Sequence, residues 1–302
     1  MKSEELRVKC SVIILNWNGA AMLRQYLPSV VEHTKGGEVI VADNGSSDES
    51  LEVLRKEFPS VRTIVLEKNF GFAEGYNRAI EQVDSEYVVL LNSDVEVTEN
   101  WLGPLLDYMD AHPEVAAVQP KIRSWRNRAY FEHAGAAGGY LDPLGYPYCR
   151  GRRFGKIEED KGQHDTVVNV DWTTGACMCV RTKVYKECGG LDAAFFAHQE
   201  EIDLCWRMRN RGWKLACVPQ SMVYHLGGGA LSYDNPRKTY LNFRNNLLMI
   251  YKNSKCRWGV LGLRFFLDYS AACMFLCTGK KGSAKAVVEA RRDYRKMRID
   301  YR

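Results

Sequence analysis

One apolar run ends in a group of oxygen ligands. Tyr87-Val88-Val89-Leu90-Leu91 leads directly into Asn92-Ser93-Asp94-Val95-Glu96. A Val- and Leu-rich run with few polar interruptions is the pattern of a strand buried on both faces, as in a parallel sheet. Open α/β sheets bind ligands at the carboxyl ends of such strands. Carboxylates there suit a hard divalent cation, Mn²⁺ or Mg²⁺, shared with phosphate oxygens. Asp94 is the expected direct ligand. Asn92 acts through water or a ribose hydroxyl, and Glu96 takes no direct part. The competing reading makes Asp94 the cap of a helix that begins near Glu99.

Three further places have suitable chemistry. Asp43 also ends an apolar strand, and the Asn-Gly-Ser-Ser turn after it offers backbone N–H groups to an anion; plain turn chemistry explains the same residues. Gln199-Glu200-Glu201-Ile202-Asp203 places three carboxylates at a helix start, with Glu200 and Asp203 on one face. One of them can be a general base if burial raises its pKa. Taken alone, a solvated acidic first turn on a helix dipole is the plainer account. His225 sits at a strand end before three glycines and can supply a third metal ligand.

The elements that must hold these residues alternate. Cys10–Leu15, Glu38–Ala42, Val61–Leu66 and Tyr87–Leu91 read as strands. Ala20–His33, a segment from Ser46 to Phe58, and Phe72–Val83 read as helices, the second opened by a Ser46/Glu49 capping box. This rhythm predicts an α/β fold with a doubly wound, mostly parallel sheet. After Pro120, residues 123–170 are rich in Arg, Gly, Tyr and Pro and suggest loops and short antiparallel strands. A strand pattern resumes over Val168–Val180, a helix over Glu200–Asn210 and a strand over Leu215–Tyr224. Residues 225–230 read as a mobile loop by composition.

The chain has 302 residues, a hydrophobic content of 46% and a net charge of +5, most of the excess lying near the C-terminus. It shows no recognisable nucleic-acid module. Met1 to Lys9 is polar, and no signal peptide is expected there. The ten cysteines do not form paired zinc-type units; they read as reduced thiols, mostly filling the core. Trp258–Thr278 is nearly all apolar except Arg264 and Asp268, which share one side of a helix and can pair. An ion pair there argues against a membrane span. With the basic residues that follow, the segment reads as an anchor on an anionic leaflet. The alternative is a helical hairpin packed on its own domain or on a second subunit.

In order along residues 10–250, VIILNWNG, VADNGSSD, KNFGFAEGYNRAI, VVLLNSDVEV, WTTGACMCVRTKVYKECGGLDAAFF, QEEIDLCWRMRNRGWK and VYH with its glycines together resemble family 2 glycosyltransferases of the GT-A fold, especially bacterial rhamnosyl- and galactofuranosyltransferase-like members. The resemblance implies inverting transfer from a UDP- or dTDP-sugar to an acceptor hydroxyl. Asp43 then holds the nucleobase or ribose, and Asn16, Asn69, Gly71, Asn77 and Ser93 shape the nucleotide pocket. Asn92 and Asp94 match the family's D-x-D motif, with Asn in the first position. His225 matches a metal-binding histidine. The catalytic base falls at Glu201, where the family has Asp, so Glu200 and Asp203 remain candidates. Trp172, Thr174 and Gly175 match the acceptor side; Trp172 either stacks on a sugar or packs in the core. Arg244 is expected on the diphosphate.

The resemblance also implies residues 1–250 as the transferase domain, 1–120 for the nucleotide and 121–250 for the acceptor, with 251–302 a helical extension. The expected partners are a nucleotide-sugar, a glycan or lipid-linked acceptor of the cell envelope, and the inner-membrane surface. The expected place is the cytoplasm, peripheral on that membrane; self-association through the C-terminal helices is the alternative. A nucleotidyltransferase or a dehydrogenase needs a glycine-rich loop after the first strand, where Asn16-Trp17-Asn18 stands. A catalytically inactive sugar-binding scaffold is the remaining rival.

Overall fold

The computed structural model describes residues 8–133, 135–153, 155–227 and 235–301. The strands are β1 (Cys10–Asn16), β2 (Glu38–Asp43), β3 (Arg62–Val65), β4 (Tyr87–Asn92), β5 (Val95–Val97), β6 (Val115–Ser124), β7 (Gly139–Leu141), β8 (Pro147–Cys149), β9 (Arg152–Arg153), β10 (Lys156–Ile157), β11 (Val168–Asn169), β12 (Cys177–Arg181) and β13 (Lys214–His225). The helices are α1 (Ala20–His33), α2 (Ser50–Glu57), α3 (Gly71–Glu81), α4 (Gly103–Ala111), α5 (Thr182–Glu187), α6 (Glu200–Asn210), α7 (Pro236–Asn253), α8 (Arg257–Cys277) and α9 (Lys281–Met297).

Nine strands form one mixed sheet in the order β11-β13-β6-β12-β4-β1-β2-β3, with β5 added to β13. The β1, β2, β3 and β4 ladder is parallel, as the α/β alternation predicts. Antiparallel β12 lies between β4 and β6. Strand order reverses around β1, so the carboxyl ends of β1, β2 and β4 open on one crevice.

Side-chain alternation gives each face of the sheet its own core. Ile13, Ile40, Val88 and Leu90 pack with Tyr76, Tyr185 and Leu247. Val12, Ile14, Val41, Val89 and Leu91 pack with Leu23, Leu27 and Trp101. Each central strand is therefore apolar at nearly every position, because both of its faces are dry.

Several expectations change. The Ser46/Glu49 capping box does not form. Asp48 Oδ1 accepts the Ser50 N–H at 3.0 Å, while the Ser46 hydroxyl accepts the Asn18 N–H at 2.9 Å and so serves the β1–α1 loop. No helix begins near Glu99: β5 follows Asp94 and α4 starts at Gly103, so Asp94 caps nothing. The Val168–Val180 stretch is two strands, β11 and β12, around an irregular turn. Trp172 causes the break: its indole lies where a Cβ on Gly139 would be 2.1 Å away, and its backbone is tied to Gly139. The cysteines, by contrast, are as expected: all are free and most are buried, with Cys256, Cys273 and Cys277 exposed. Residues 228–230 of the glycine loop lie outside the described residues.

The C-terminal extension packs on the domain. Arg264 Nε donates to Asp268 Oδ1 at 3.2 Å, and Arg291 of α9 donates to the other Asp268 oxygen. All three residues are buried.

Candidate active site

Two buried side chains meet at the end of the parallel strands. Register places Asn16 opposite Asp43. Asn16 Nδ2 donates to Asp43 Oδ2 at 3.1 Å, and the Ser46 N–H donates to Asp43 Oδ1 at 2.9 Å. Asn16 Oδ1 is buried with no hydrogen-bond partner. Beside them, Asn44 Nδ2 donates to Asn69 Oδ1 at 3.1 Å and to the Gly71 carbonyl at 3.0 Å. Gly71 has φ +81°, a left-handed conformation that glycine adopts without strain, and it faces the Phe196 ring.

The β4 end meets the β13 end through β5. His225 pairs with Val95, which brings its ring back over the Asn92-Ser93-Asp94 turn. His225 Nε2 lies 3.1 Å from Asp94 Oδ1 and 3.4 Å from Asn92 Nδ2. On the far side of the ring, His225 Nδ1 is 3.7 Å from Glu132 Oε2. Burial works to raise the Asp94 pKa, but the His225 hydrogen bond and charge hold it below its usual value. Burial alone would lower His225, yet the Asp94 and Glu132 carboxylates push it up to about 10. The sequence gives no sign of Glu132, which lies in the irregular Arg- and Gly-rich segment. Glu96 stays apart, holding Trp125 Nε1 at 2.8 Å and Arg128. Among the described residues, no group of three or more His, Cys, Asp and Glu side chains is arranged to hold a metal.

The acidic turn opens on a cavity of about 900 Å³. Its wall includes Asn92, His225, Glu200, Glu201, Trp172, Thr174 and Gly175. Gln199, with φ +69°, turns the chain sharply into α6 and points both glutamates inward. One oxygen of each, Oε2, is buried without a hydrogen-bond partner. Burial pushes Glu201 up to about 6, while backbone N–H groups, among them those of Gly175 and Gln199, pull the other way. Glu200 is held well above its ordinary value, first by burial and then by repulsion from Glu201. Both carboxylates are thus held above their ordinary value by the same dry environment.

Three expected site residues are engaged elsewhere. Asp203 is fully buried and accepts from Arg207 at 2.8 Å, Lys252 at 2.9 Å and Asn253 at 2.8 Å, so both its oxygens are engaged in a structural ion network. Asn77 donates to the Leu191 carbonyl at 2.7 Å and accepts from the Leu191 N–H and the Tyr185 hydroxyl, so it pins the loop at Leu191. Arg244 donates to the Ala194 and Phe195 carbonyls, which ties its guanidinium to the 193–199 loop. Asn245 fixes the same loop through the Phe195, Ala197 and His198 carbonyls. Trp172 is packed in the core, with Nε1 donating to the Tyr140 carbonyl at 2.9 Å, and part of it forms cavity wall.

The sequence profile described as Glycosyl transferase family 2 matches residues 11–189, more than half of the chain. The chain belongs to that family. This family 2 protein is therefore an enzyme of the glycosyltransferase class. It is 26% identical, over 71% of its length and 75% of the relative's, to the N-acetylglucosaminyl-diphospho-decaprenol L-rhamnosyltransferase of Mycobacterium tuberculosis. Its fold is that of GT-A structures. A mannosyltransferase of Pyrobaculum calidifontis, in complex with GDP-Man and Mn²⁺, has a TM-score of 0.59 at 14% identity, covering 96% of this chain and 88% of that one. GalNAc-T7 with UDP, GalNAc and Mn²⁺ has a TM-score of 0.63 at 17% identity over 84% of this chain; the family 2 chain spans about half of that protein, 49%.

Proposed function

We propose that this enzyme carries out an inverting transfer of a sugar from a UDP- or dTDP-linked donor to an acceptor hydroxyl. In this reading it works on the cytoplasmic side of the membrane in the synthesis of envelope polysaccharide or lipid-linked glycan. The observation that carries it is the pair of inward glutamates sharing one cavity with His225 and Asn92.

Residues 1–120 form the nucleotide half. Asp43 is buried at a strand end and suits a donor from a base or ribose, and the orphan Asn16 Oδ1 offers a second acceptor. Asn69, Gly71 and Ser93 line the approach. Residues 121–250 form the acceptor half, where Trp172, Thr174 and Gly175 present a sugar to Glu201. Residues 251–302 are the extension.

Glu201 is the base. Burial and the neighbouring carboxylate hold Glu200 well above its ordinary value, which favours Glu201 as the member of the pair that carries the negative charge. As the acceptor oxygen attacks the anomeric carbon in line, Glu201 takes its proton, and the nucleoside diphosphate leaves from the opposite face. Enclosure in the cavity strengthens the electrostatic interaction between Glu201 and the hydroxyl.

The donor set fits a divalent cation. A carboxylate and an imidazole side by side, with a second carboxylate behind the ring, make a partial shell whose remaining positions suit phosphate oxygens. Asp94 and His225 would hold Mn²⁺ or Mg²⁺, with Asn92 beside them, the cation taking the place of the proton that Asp94 and Glu132 otherwise favour on the His225 ring. When bound, the ion neutralises charge on the departing diphosphate.

A panel of nucleotide-sugars, screened with Mn²⁺ for donor hydrolysis and thermal stabilisation, tests this reading. One UDP- or dTDP-sugar should raise the melting temperature and release nucleoside diphosphate. If no nucleotide-sugar has either effect, the proposal falls.

A further inference from the structure

Helix α8 has two unlike faces. Leu261, Arg264, Asp268 and Ala272 are buried. Their spacing of three and four puts them on one stripe. The opposite side carries Leu263, Phe266 and Met274, exposed by 49%, 68% and 58%. Cys273 and Cys277 lie on that same exposed side. Trp258 at one end of α8 is 61% exposed. The helix is 21 residues long with a mean hydropathy of 1.5, long and apolar enough to cross a bilayer. It does not cross one, because Arg264 and Asp268 sit mid-helix and are bonded into α7, α9 and the 144–146 loop. Only one face is left for an apolar partner.

Charge selects among the possible partners. Between residues 255 and 302, lysines and arginines outnumber acids twelve to four. The whole chain carries only +5, so the remainder of the protein is net acidic. On α9, Lys281, Lys285, Arg292, Arg295 and Lys296 are exposed. A second copy of this chain would bring the same positive charge against itself. An anionic lipid surface complements both the apolar stripe and the basic helix.

The stripe is also close to the chemistry. Arg264 projects from the buried side of α8 into the wall of the 900 Å³ cavity that holds Glu200 and Glu201. Its guanidinium stacks on Tyr146 at 3.8 Å and donates to Asn246, which in turn donates to Gln199 Oε1 at 3.2 Å. One helix diameter, about 10 Å, therefore separates the apolar stripe from the cavity.

We infer that α8 and α9 form a docking face for an anionic bilayer, with α8 lying in the interface and its Arg264 side closing the cavity, so that the acceptor is one carried by a membrane lipid. This rests on the glycosyltransferase reading for the acceptor, but the docking itself does not depend on activity.

The test uses the full chain. Flotation with phosphatidylglycerol-rich vesicles should carry the protein upward, and neutral phosphatidylcholine vesicles should bind it about tenfold less. Maleimide labelling of Cys273 and Cys277, read by peptide mass, should fall on the anionic vesicles. The doubly substituted Phe266→Asp, Met274→Asp protein should remain in the aqueous fraction while keeping wild-type donor hydrolysis. Equal flotation of wild type and variant, or protection of both thiols without vesicles in a concentration-dependent dimer, would overturn the inference. Loss of donor hydrolysis in the wild type, with flotation intact, would instead count against the proposed reaction.

Discussion

Glu201→Gln should separate activity from stability. The substitution keeps the shape of the side chain and the oxygen that accepts backbone N–H bonds, but removes the charge. A positioned base contributes about 10²- to 10⁴-fold, so kcat should fall by that range. Stability should move the other way. Burial raises Glu201 from the ordinary 4.5 to about 6. Between those values the folded protein holds a proton that the unfolded chain releases. Folding stability is therefore greatest below about 4.5, falls as pH rises through 6, and is then level. The shift is about 1.5 units, or about 2 kcal/mol of cost at neutral pH. Glutamine carries no such cost and also relieves the repulsion on Glu200. Urea unfolding at pH 7 should show the variant no less stable, and up to about 2 kcal/mol more stable, with the gap closing near pH 4.5. The kcat/KM of the wild type should fall about tenfold per unit below pH 6. Wild-type turnover in Glu201→Gln would refute the assignment of the base. An inactive variant that is also destabilised at pH 7 would refute the account of its environment.

Other consequences follow from the same geometry. Glu132→Gln should weaken Mn²⁺ binding, measured by calorimetry with nucleoside diphosphate present, by about 10- to 100-fold, since it orients the far side of the His225 ring. Asp203→Asn should cost about 3–5 kcal/mol in urea unfolding, because it removes the buried charge that Arg207 and Lys252 share and leaves Lys252 only Asp192; the apparent pKa of kcat should stay where it is. Asn77→Ala should cost about 1–3 kcal/mol through the groups it leaves unpaired at Leu191 and Tyr185, and donor KM should be unchanged.

The sequence made the frame legible because the frame is written in local patterns. Apolar runs ending in Asn16, Asp43 and Asn92 reveal both the parallel strands and their functional ends, since periodicity and strand polarity need no tertiary knowledge. Arg264 and Asp268 announce their pairing by a spacing of four. What local pattern leaves out is tertiary. Asp203, Asn77 and Arg244 have the right residue types in the right motifs, yet each spends its hydrogen bonds on a distant segment: Lys252, Leu191 and Phe195. No window of sequence shows where a side chain's partners come from. Glu132 escaped for the same reason, since it reaches His225 from a segment with no periodicity. The Ser46 cap failed because β1 and α2 compete for one hydroxyl, and the loop after β1 wins.

The extension cannot be treated as an appendage to a finished catalytic domain. Gln199 holds a left-handed backbone that a side chain seldom adopts, and this turn aims Glu200 and Glu201 into the cavity. Such strain persists only where surrounding contacts over-determine it. Here those contacts are the Asn246 amide and the Asn242 carbonyl on the Gln199 side chain. Asn246 in turn bridges the Gly145 carbonyl and Arg264. Arg264 is kept in place by Asp268, which Arg291 of α9 also holds. The chain of contacts begins on the last two helices and ends at the turn bearing the glutamates. Each member is buried and hydrogen-bonded, so none can leave without stranding the next. The helices therefore help to fix the geometry of the acidic turn, and whatever surface α8 rests on is mechanically continuous with it.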